Sequence, residues 1–485
     1  MNSNNFFFYD LETTGINARS SRIMQFAGQR TDMSLKPIGE PYNFLIKLSD
    51  DVLPDPDAIL ITGITPQQTL QDGITEAEFT KLFAKEIVQP GTCFVGYNSI
   101  RFDDEFMRFL LYRNFYDPYA WQWKNDCSRW DLLDVVRLTR ALRPESINWP
   151  FDEKGVATNR LELITKENNL LHEAAHDALS DVKATIAVAN MIKAKQPKLF
   201  DYLFTLRQKK EVSKLVLSGK PFVYASGRYP NEFLKTTVAI NLGMHPTTQN
   251  ALVYDLRHDP TPFLAMSVDE LVEVWRYTKD KDAIRLPVKG LQFNRAPAVA
   301  PLGVLDDASK DRLQIDMNTI EKNRSILKTG TGFYERVSQA AEQMNIERDK
   351  RSALQFKAQV AARNPDALLY DKFIPDVDRP VAESLQKAKP DALAEYANEF
   401  KDERLKNLVP LYKARNYPGN LTDEERSAWE SYREHALLEG GTGSRLAQFG
   451  ARLQELSQSV TDEHKLYLLE ELRLYGESIM PELTD

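Results

Sequence analysis

At 485 residues the chain can bury several cores, and its length suggests about three domains. Its 42% hydrophobic and 27% charged content are those of an ordinary soluble protein, and no apolar run approaches the roughly 20 residues of a membrane span. Two cysteines, Cys93 and Cys127, exclude a disulfide framework and a structural zinc site, while the net charge of −8 excludes a generally basic surface, so a polyanionic ligand would need a local basic track.

The first 196 residues alternate strand-like and helix-like segments, the mark of an α/β layer fold. Strands are expected at 6–9, 23–29 and 42–48, and helices at 76–87, 104–112, 131–141 and 177–194. The first strand, Phe6-Phe7-Phe8-Tyr9, runs into Asp10-Leu11-Glu12-Thr13-Thr14-Gly15. Residues i and i+2 of a strand share a face, so Asp10 and Glu12 sit side by side. Two such carboxylates repel unless cations sit between them; a solvated strand end is the bland alternative.

The apolar run Cys93-Phe94-Val95 leads into Gly96-Tyr97-Asn98-Ser99-Ile100-Arg101-Phe102-Asp103-Asp104, and Phe106, Phe109 and Leu110 then keep a helical period. Asp103 therefore sits at a helix start, where a carboxylate is also favoured by the helix dipole, and Asp104 fits that plain role equally well. His176-Asp177-Ala178-Leu179-Ser180-Asp181 heads another helix. Positions five apart lie about 140° apart on a straight helix, so His176 is placed on the entering loop and Asp181 a turn inside.

From 106 to 130 nine aromatic residues are interleaved with Arg108, Arg113, Lys124 and Arg129, a composition that suits unpaired bases and phosphates. Phe106 and Phe109 fall on a helical stripe and read as core. Tyr119, Trp121 and Trp123 follow Asp117-Pro118 in an expected loop and read as stacking platforms. From 197 to 350 short β-type runs at 222–226, 236–242 and 251–255 are separated by Gly, Pro and Asn turns. From 351 to 485 amphipathic helices are expected at 392–400, 426–436, 446–460 and 462–475, with Gly440-Gly441-Thr442-Gly443 as a break. Basic pairs such as Lys209-Lys210 read as solvated faces.

Asp10, Glu12, Asp103, His176 and Asp181 resemble, in order, the motif residues of the DEDDh exonucleases. Ile61-Thr62-Gly63-Ile64-Thr65-Pro66, Arg129-Trp130-Asp131-Leu132-Leu133-Asp134, Ala141-Leu142-Arg143-Pro144-Glu145, Arg160-Leu161-Glu162 and Ala414-Arg415-Asn416-Tyr417-Pro418-Gly419 narrow the resemblance to bacterial exodeoxyribonuclease I, over essentially the whole chain. The resemblance implies a ribonuclease-H-like exonuclease domain at 1–196, a small β-rich Src-homology-three-like domain at 197–350 and an all-α domain at 351–485.

It further implies a Mg2+-dependent 3′→5′ exonuclease that degrades single-stranded DNA to mononucleotides in repair and recombination. Two Mg2+ ions, with Mn2+ as a substitute, would be held by Asp10, Glu12, Asp103 and Asp181, Asp10 bridging both. His176 would take a proton from the attacking water. Glu12, Thr13, Thr14, Gly15, Thr62 and Gly63 are implied at the 3′ end, and Arg108, Tyr119, Trp123, Arg137, Arg143 and Arg160 along the strand. A monomer in the cytoplasm, docking the acidic C-terminal tail of the single-stranded-DNA-binding protein and no membrane, completes the expectation. Two alternatives stay open: an exoribonuclease of the same superfamily, since no residue visibly excludes a 2′-hydroxyl, and a catalytically inactive nucleic-acid-binding scaffold.

Overall fold

The structure is a computed structural model that describes residues 4–170, 177–276, 278–280, 283–361 and 364–481. It divides into two compact units, one of Met1–Cys127, Glu173–Lys183 and Gln355–Asp485, the other of Ser128–His172 and Ala184–Leu354.

In the first unit, strands β1 (Asn5–Thr13), β2 (Ile23–Thr31), β3 (Tyr42–Leu45) and β4 (Thr92–Gly96) run side by side in the order β3-β2-β1-β4. β1 is central, antiparallel to β2 and parallel to β4. Its aromatic run explains this position: Phe6 to Tyr9 are at most 3% exposed, as a strand covered on both faces requires. Phe7, Tyr9 and Leu11 join Phe26, Phe79, Phe83, Phe94 and Trp121 in one core. Gly96 closes β4 because a Cβ there would meet the Ser99 Cβ at 2.5 Å and the Tyr9 carbonyl at 3.1 Å. Cys93 and Cys127 are buried free thiols.

The expected strand at 42–48 stops pairing as a strand at Leu45 and continues only as a single bridge, Ile46 to Ile74. The expected helix at 76–87 is α-helical over Glu76–Leu82 and becomes a π-turn over Phe83–Ile87. Two short helices were not legible, Pro56–Thr62 and Pro66–Asp72. Each has seven residues, too few for a clear apolar period; their start signals are the caps Asp55 and Thr65, each followed by proline.

Near the C-terminus, helices Asp423–Leu438, Arg445–Ser459 and Glu463–Ser478 lie where the sequence places them, with a turn at Gly441–Gly443. The expected α-helix at 392–400 is instead a 3-10 helix, Pro390–Asn398. Its Leu393 and Tyr396, three apart, pack on the same core as Phe115 and Tyr412, a spacing that the 3-10 turn eclipses. Helix Glu403–Asn416 was missed because Pro410 interrupts the pattern. Buried Leu405, Leu408, Val409 and Tyr412 hold it.

In the second unit, β5 (Ser128–Asp131) leads into helix Leu132–Leu142, capped by the Asp131 carboxylate, which accepts from the Leu133 N–H at 3.0 Å. An antiparallel sheet follows, ordered β10-β6-β7-β8-β9, from β6 (Phe222–Ala225), β7 (Thr236–Met244), β8 (Ala251–Asp255), β9 (Val288–Leu291) and β10 (Ala298–Pro301). The two edge strands escaped the sequence reading: each has four residues, one containing Gly290 and one ending on Pro301.

Candidate active site

The strand pleat delivers the first two acids. Asp10 pairs with Ala27 and Glu12 with Gln25 across β1 and β2, and Leu11 between them turns away, 4% exposed, into the phenylalanine core. The register shifts between Glu12 and Thr13, which ends regular pairing just past the acids. Asp181 comes from the first turn of helix Ala178–Lys195. Carboxylate oxygens of Asp10, Glu12 and Asp181 lie within 4.8 Å of one another.

The charges oppose one another. Burial, then Asp103, Asp181 and Asp177, hold the Asp10 carboxyl well above the ordinary range. Burial, then Asp10, Asp181 and Asp177, push Glu12 up to about 9. Asp103 opens helix Asp103–Arg113 and is 3% exposed, as the sequence placed it. The structure separates it from its neighbour: Asp104 accepts from the Tyr9 hydroxyl at 2.5 Å, whereas the charge of Asp103 acts on Asp10. His176 lies outside the described residues.

The loop after Glu12 is held by its own hydroxyls. The Thr13 Oγ1 donates to the Gly15 carbonyl at 2.9 Å, and the Thr14 Oγ1 accepts from the Arg22 N–H at 2.8 Å. Gly63 caps helix Pro56–Thr62 with φ 70°, a left-handed conformation that glycine adopts without strain. Thr62 and Gly63 line a cleft of about 240 Å3 together with Gln25, Leu45, Ile64, Gln68, Asp72 and Asp177. Gln25 and Asp177 carried no weight in the sequence. Their available signals were a single amide inside the apolar run Ile23-Met24-Gln25-Phe26-Ala27 and a second carboxylate, beside Asp181, in the His176–Asp181 motif.

Arg108 is one turn further along helix Asp103–Arg113. It donates to Glu105 at 2.6 Å and to Gln122 at 3.0 Å, and its guanidinium lies 5.5 Å from the Tyr119 ring centre. The three tryptophans of this region divide. Trp123 is 65% exposed and free to stack. Trp121, expected as a platform, is core: it packs edge-on against Phe94 at 4.9 Å and Tyr9 at 6.2 Å. Trp130 is buried in the second unit against Phe200 and Phe204. That unit also carries the remaining arginines. Arg137 donates to Asp134 at 2.6 Å, Arg143 pairs with Asp306 at 3.3 Å, and the exposed Arg160 pairs with Glu162 at 2.6 Å.

Three hard oxygen donors at this spacing, two of them, Asp10 and Glu12, with charged forms that burial and neighbouring acids disfavour, suit a divalent cation such as Mg2+ or Mn2+. With a cation held there, the site would polarise a phosphodiester and the water that attacks it.

Three family profiles cover the chain: "Exonuclease" over residues 7–189, "Exonuclease I SH3-like domain" over 207–343 and "Exonuclease I C-terminal domain" over 363–479. The exodeoxyribonuclease I of Haemophilus influenzae is 41% identical over 480 residues, spanning 97% of this chain and 98% of that one. Exonuclease I of Escherichia coli, solved in complex with a dA16 oligonucleotide, superposes with a TM-score of 0.90 at 38% identity over 98% of this chain and 100% of that one. A zinc-bound complex of the same enzyme with single-stranded DNA gives 0.89 at 38% identity, over 98% and 99% of the two chains. With an α/β exonuclease domain, an SH3-like domain and a helical C-terminal domain in that order, the chain belongs to the exodeoxyribonuclease I family and is an exonuclease, a hydrolase of nucleic-acid phosphodiesters.

Proposed function

We propose that the protein is a Mg2+-dependent 3′→5′ exonuclease that degrades single-stranded DNA to mononucleotides, in DNA repair and recombination. The observation that carries this reading is the group Asp10, Glu12 and Asp181, with carboxylate oxygens within 4.8 Å of one another. The Escherichia coli enzyme, solved with single-stranded DNA and in one of these complexes with zinc, supports the same substrate and a divalent metal.

Bound Mg2+, or Mn2+ in its place, would supply an activated water and neutralise charge on the phosphate. Asp10, Glu12 and Asp181 hold that site, and Asp103 supports it from the start of its helix. His176 takes the proton released as the water oxygen bonds to phosphorus and the bond to the 3′-oxygen breaks. Glu12, Thr13, Thr14, Gly15, Thr62 and Gly63 receive the 3′ end; Arg108, Tyr119, Trp123, Arg137, Arg143 and Arg160 hold the strand. In this reading the domains run 1–196, 197–350 and 351–485. The protein works in the cytoplasm as a monomer, partnered by the acidic tail of the single-stranded-DNA-binding protein.

The test uses 5′-end-labelled single-stranded DNA and RNA of one sequence, with Mg2+ or EDTA. Progressive shortening of the DNA alone, lost with EDTA, is expected. Preferential shortening of RNA would move the protein to a ribonuclease, and binding without shortening would make it a scaffold.

A further inference from the structure

The acid cluster takes its third member from a helix, and that helix starts against a side chain of the sheet. Gln25 lies on β2 directly opposite Glu12 and is 5% exposed. Its carboxamide is used at both ends. The oxygen accepts from the Ala178 N–H at 3.2 Å, at the first residue of helix Ala178–Lys195. The nitrogen donates to the Asp177 Oδ1 at 3.1 Å and to the Asn43 Oδ1 at 3.0 Å. The other Asp177 oxygen accepts from the Ser180 N–H at 2.9 Å, so Asp177 caps the helix while Gln25 grips the cap. The two acceptors on one side and the N–H on the other fix which end of the amide is which.

From this geometry, and resting on the reading that Asp10, Glu12 and Asp181 hold a divalent cation, we infer that Gln25 is a positioning residue for the metal site. It ties the first turn of the helix that bears Asp181 to the strand that faces Glu12. The tie is needed because the three carboxylates repel one another, and without a cross-link between sheet and helix the first turn can relax outward. It acts on the site through Asp177 and the Ala178 N–H. It also forms part of the wall of the cleft shared with Thr62 and Gly63, so metal site and cleft share one support.

Gln25→Met keeps the length of the side chain and removes every hydrogen bond. The probe is Mn2+ alone, its binding followed by electron paramagnetic resonance on wild type and variant, without DNA. An outer-shell support of this kind is expected to weaken Mn2+ binding by about 10- to 100-fold. Turnover at saturating Mn2+ should recover most of the loss, and the affinity for single-stranded DNA in EDTA should stay within about 2-fold, since the phosphate contacts remain in place. Gln25→Glu, which retains the acceptor but faces Asp177 with a carboxylate, should also weaken the grip if the amide donors matter, and it guards against a variant that fails to fold. Mn2+ binding within about 2-fold of wild type in both folded variants would overturn the inference. If wild type itself neither binds Mn2+ nor cleaves DNA, the functional reading fails instead.

Discussion

The first unit holds two groups of buried and half-buried carboxylates with opposite environments. At Asp10 and Glu12 burial raises the carboxyls, and the described charges that add to it are other acids, Asp177 and Asp181 among them. Around Asp51, Glu76 and Asp366 every acid faces a guanidinium. Arg415 reaches Asp51 at 2.7 Å and Asp366 at 2.8 Å, Arg22 reaches Asp366 at 2.6 Å, and Arg113 reaches Glu76 at 2.7 Å. Burial would raise all three, but Arg415 and Arg22 at Asp51 and Asp366, and Arg113 at Glu76, hold them below the ordinary range. Burial is common to both groups, so it does not mark a site. The sign of the neighbouring charge does: arginines hold the second group's carboxylates charged, whereas at Asp10 and Glu12 the neighbouring acids add to burial in disfavouring the charged form, the setting a bound cation would reverse.

The comparison breaks most sharply on removal of one acid from each group. Asp10→Ala should lower turnover by about 10³-fold or more, since it deletes a ligand for the charge-stabilising cation, yet leave the metal-free fold intact or firmer by relieving repulsion. Single-turnover cleavage and urea unfolding of the same sample read both effects; near-normal cleavage sinks the assignment. Asp366→Ala should do the reverse. It leaves Arg22 and Arg415 buried with one partner fewer, at a cost of about 3–5 kcal/mol of stability. Turnover per folded molecule at low temperature should hold. An unfolding midpoint equal to wild type would show that the ionic group is idle.

The acids of the first group, and Asp103 beside them, were legible in the sequence because each follows a local signal. Asp10 and Glu12 end an apolar strand, Asp103 opens a helix, and Asp181 lies in a helical first turn. The second group was not legible. Arg22, Asp51, Asp366 and Arg415 come from four distant segments, and no spacing along a chain announces a pairing that only packing creates. Arg415 lies in the motif Ala414–Gly419, and packing explains the motif: Arg415 binds two buried acids, and the Asn416 Oδ1 accepts from the Ala77 N–H at 2.9 Å. Trp121 and Trp123 show the same limit. Two residues apart in one aromatic run, they part into core and surface through the local 3-10 turn at Ala120–Gln122, which composition does not encode.

Titration sharpens the comparison, because the two groups give opposite slopes. Asp366 binds its proton more weakly when folded than its ordinary value of 3.8. Its contribution to stability is therefore present above 3.8 and lost as pH falls through the lower folded value. Glu12 is raised from 4.5 to about 9, so its contribution is present below 4.5 and lost as pH rises towards about 9. In EDTA, denaturant unfolding should show stability declining on both sides. Mg2+ at about 100 times its dissociation constant should add about 2.7 kcal/mol at neutral pH and flatten the alkaline decline, while the acid limb stays. An alkaline slope that ignores Mg2+ would mean that the cluster is not where the cation binds.

The smallest effect separates substrate contact from both groups. Trp123 is 65% exposed and belongs to no core, so Trp123→Ala should change stability by less than about 0.5 kcal/mol. If its ring stacks on a base, the variant should bind single-stranded DNA more weakly by about 1–3 kcal/mol in EDTA, roughly 5- to 150-fold. The loss should be the same for poly-dT and poly-dA within a few-fold, since an aromatic face reads no base edge. Fluorescence anisotropy of a labelled oligonucleotide checks this at fixed salt, because the phosphate contribution varies steeply with ionic strength. Unchanged affinity would remove Trp123 from the strand contacts and leave the arginines and Tyr119 to carry them.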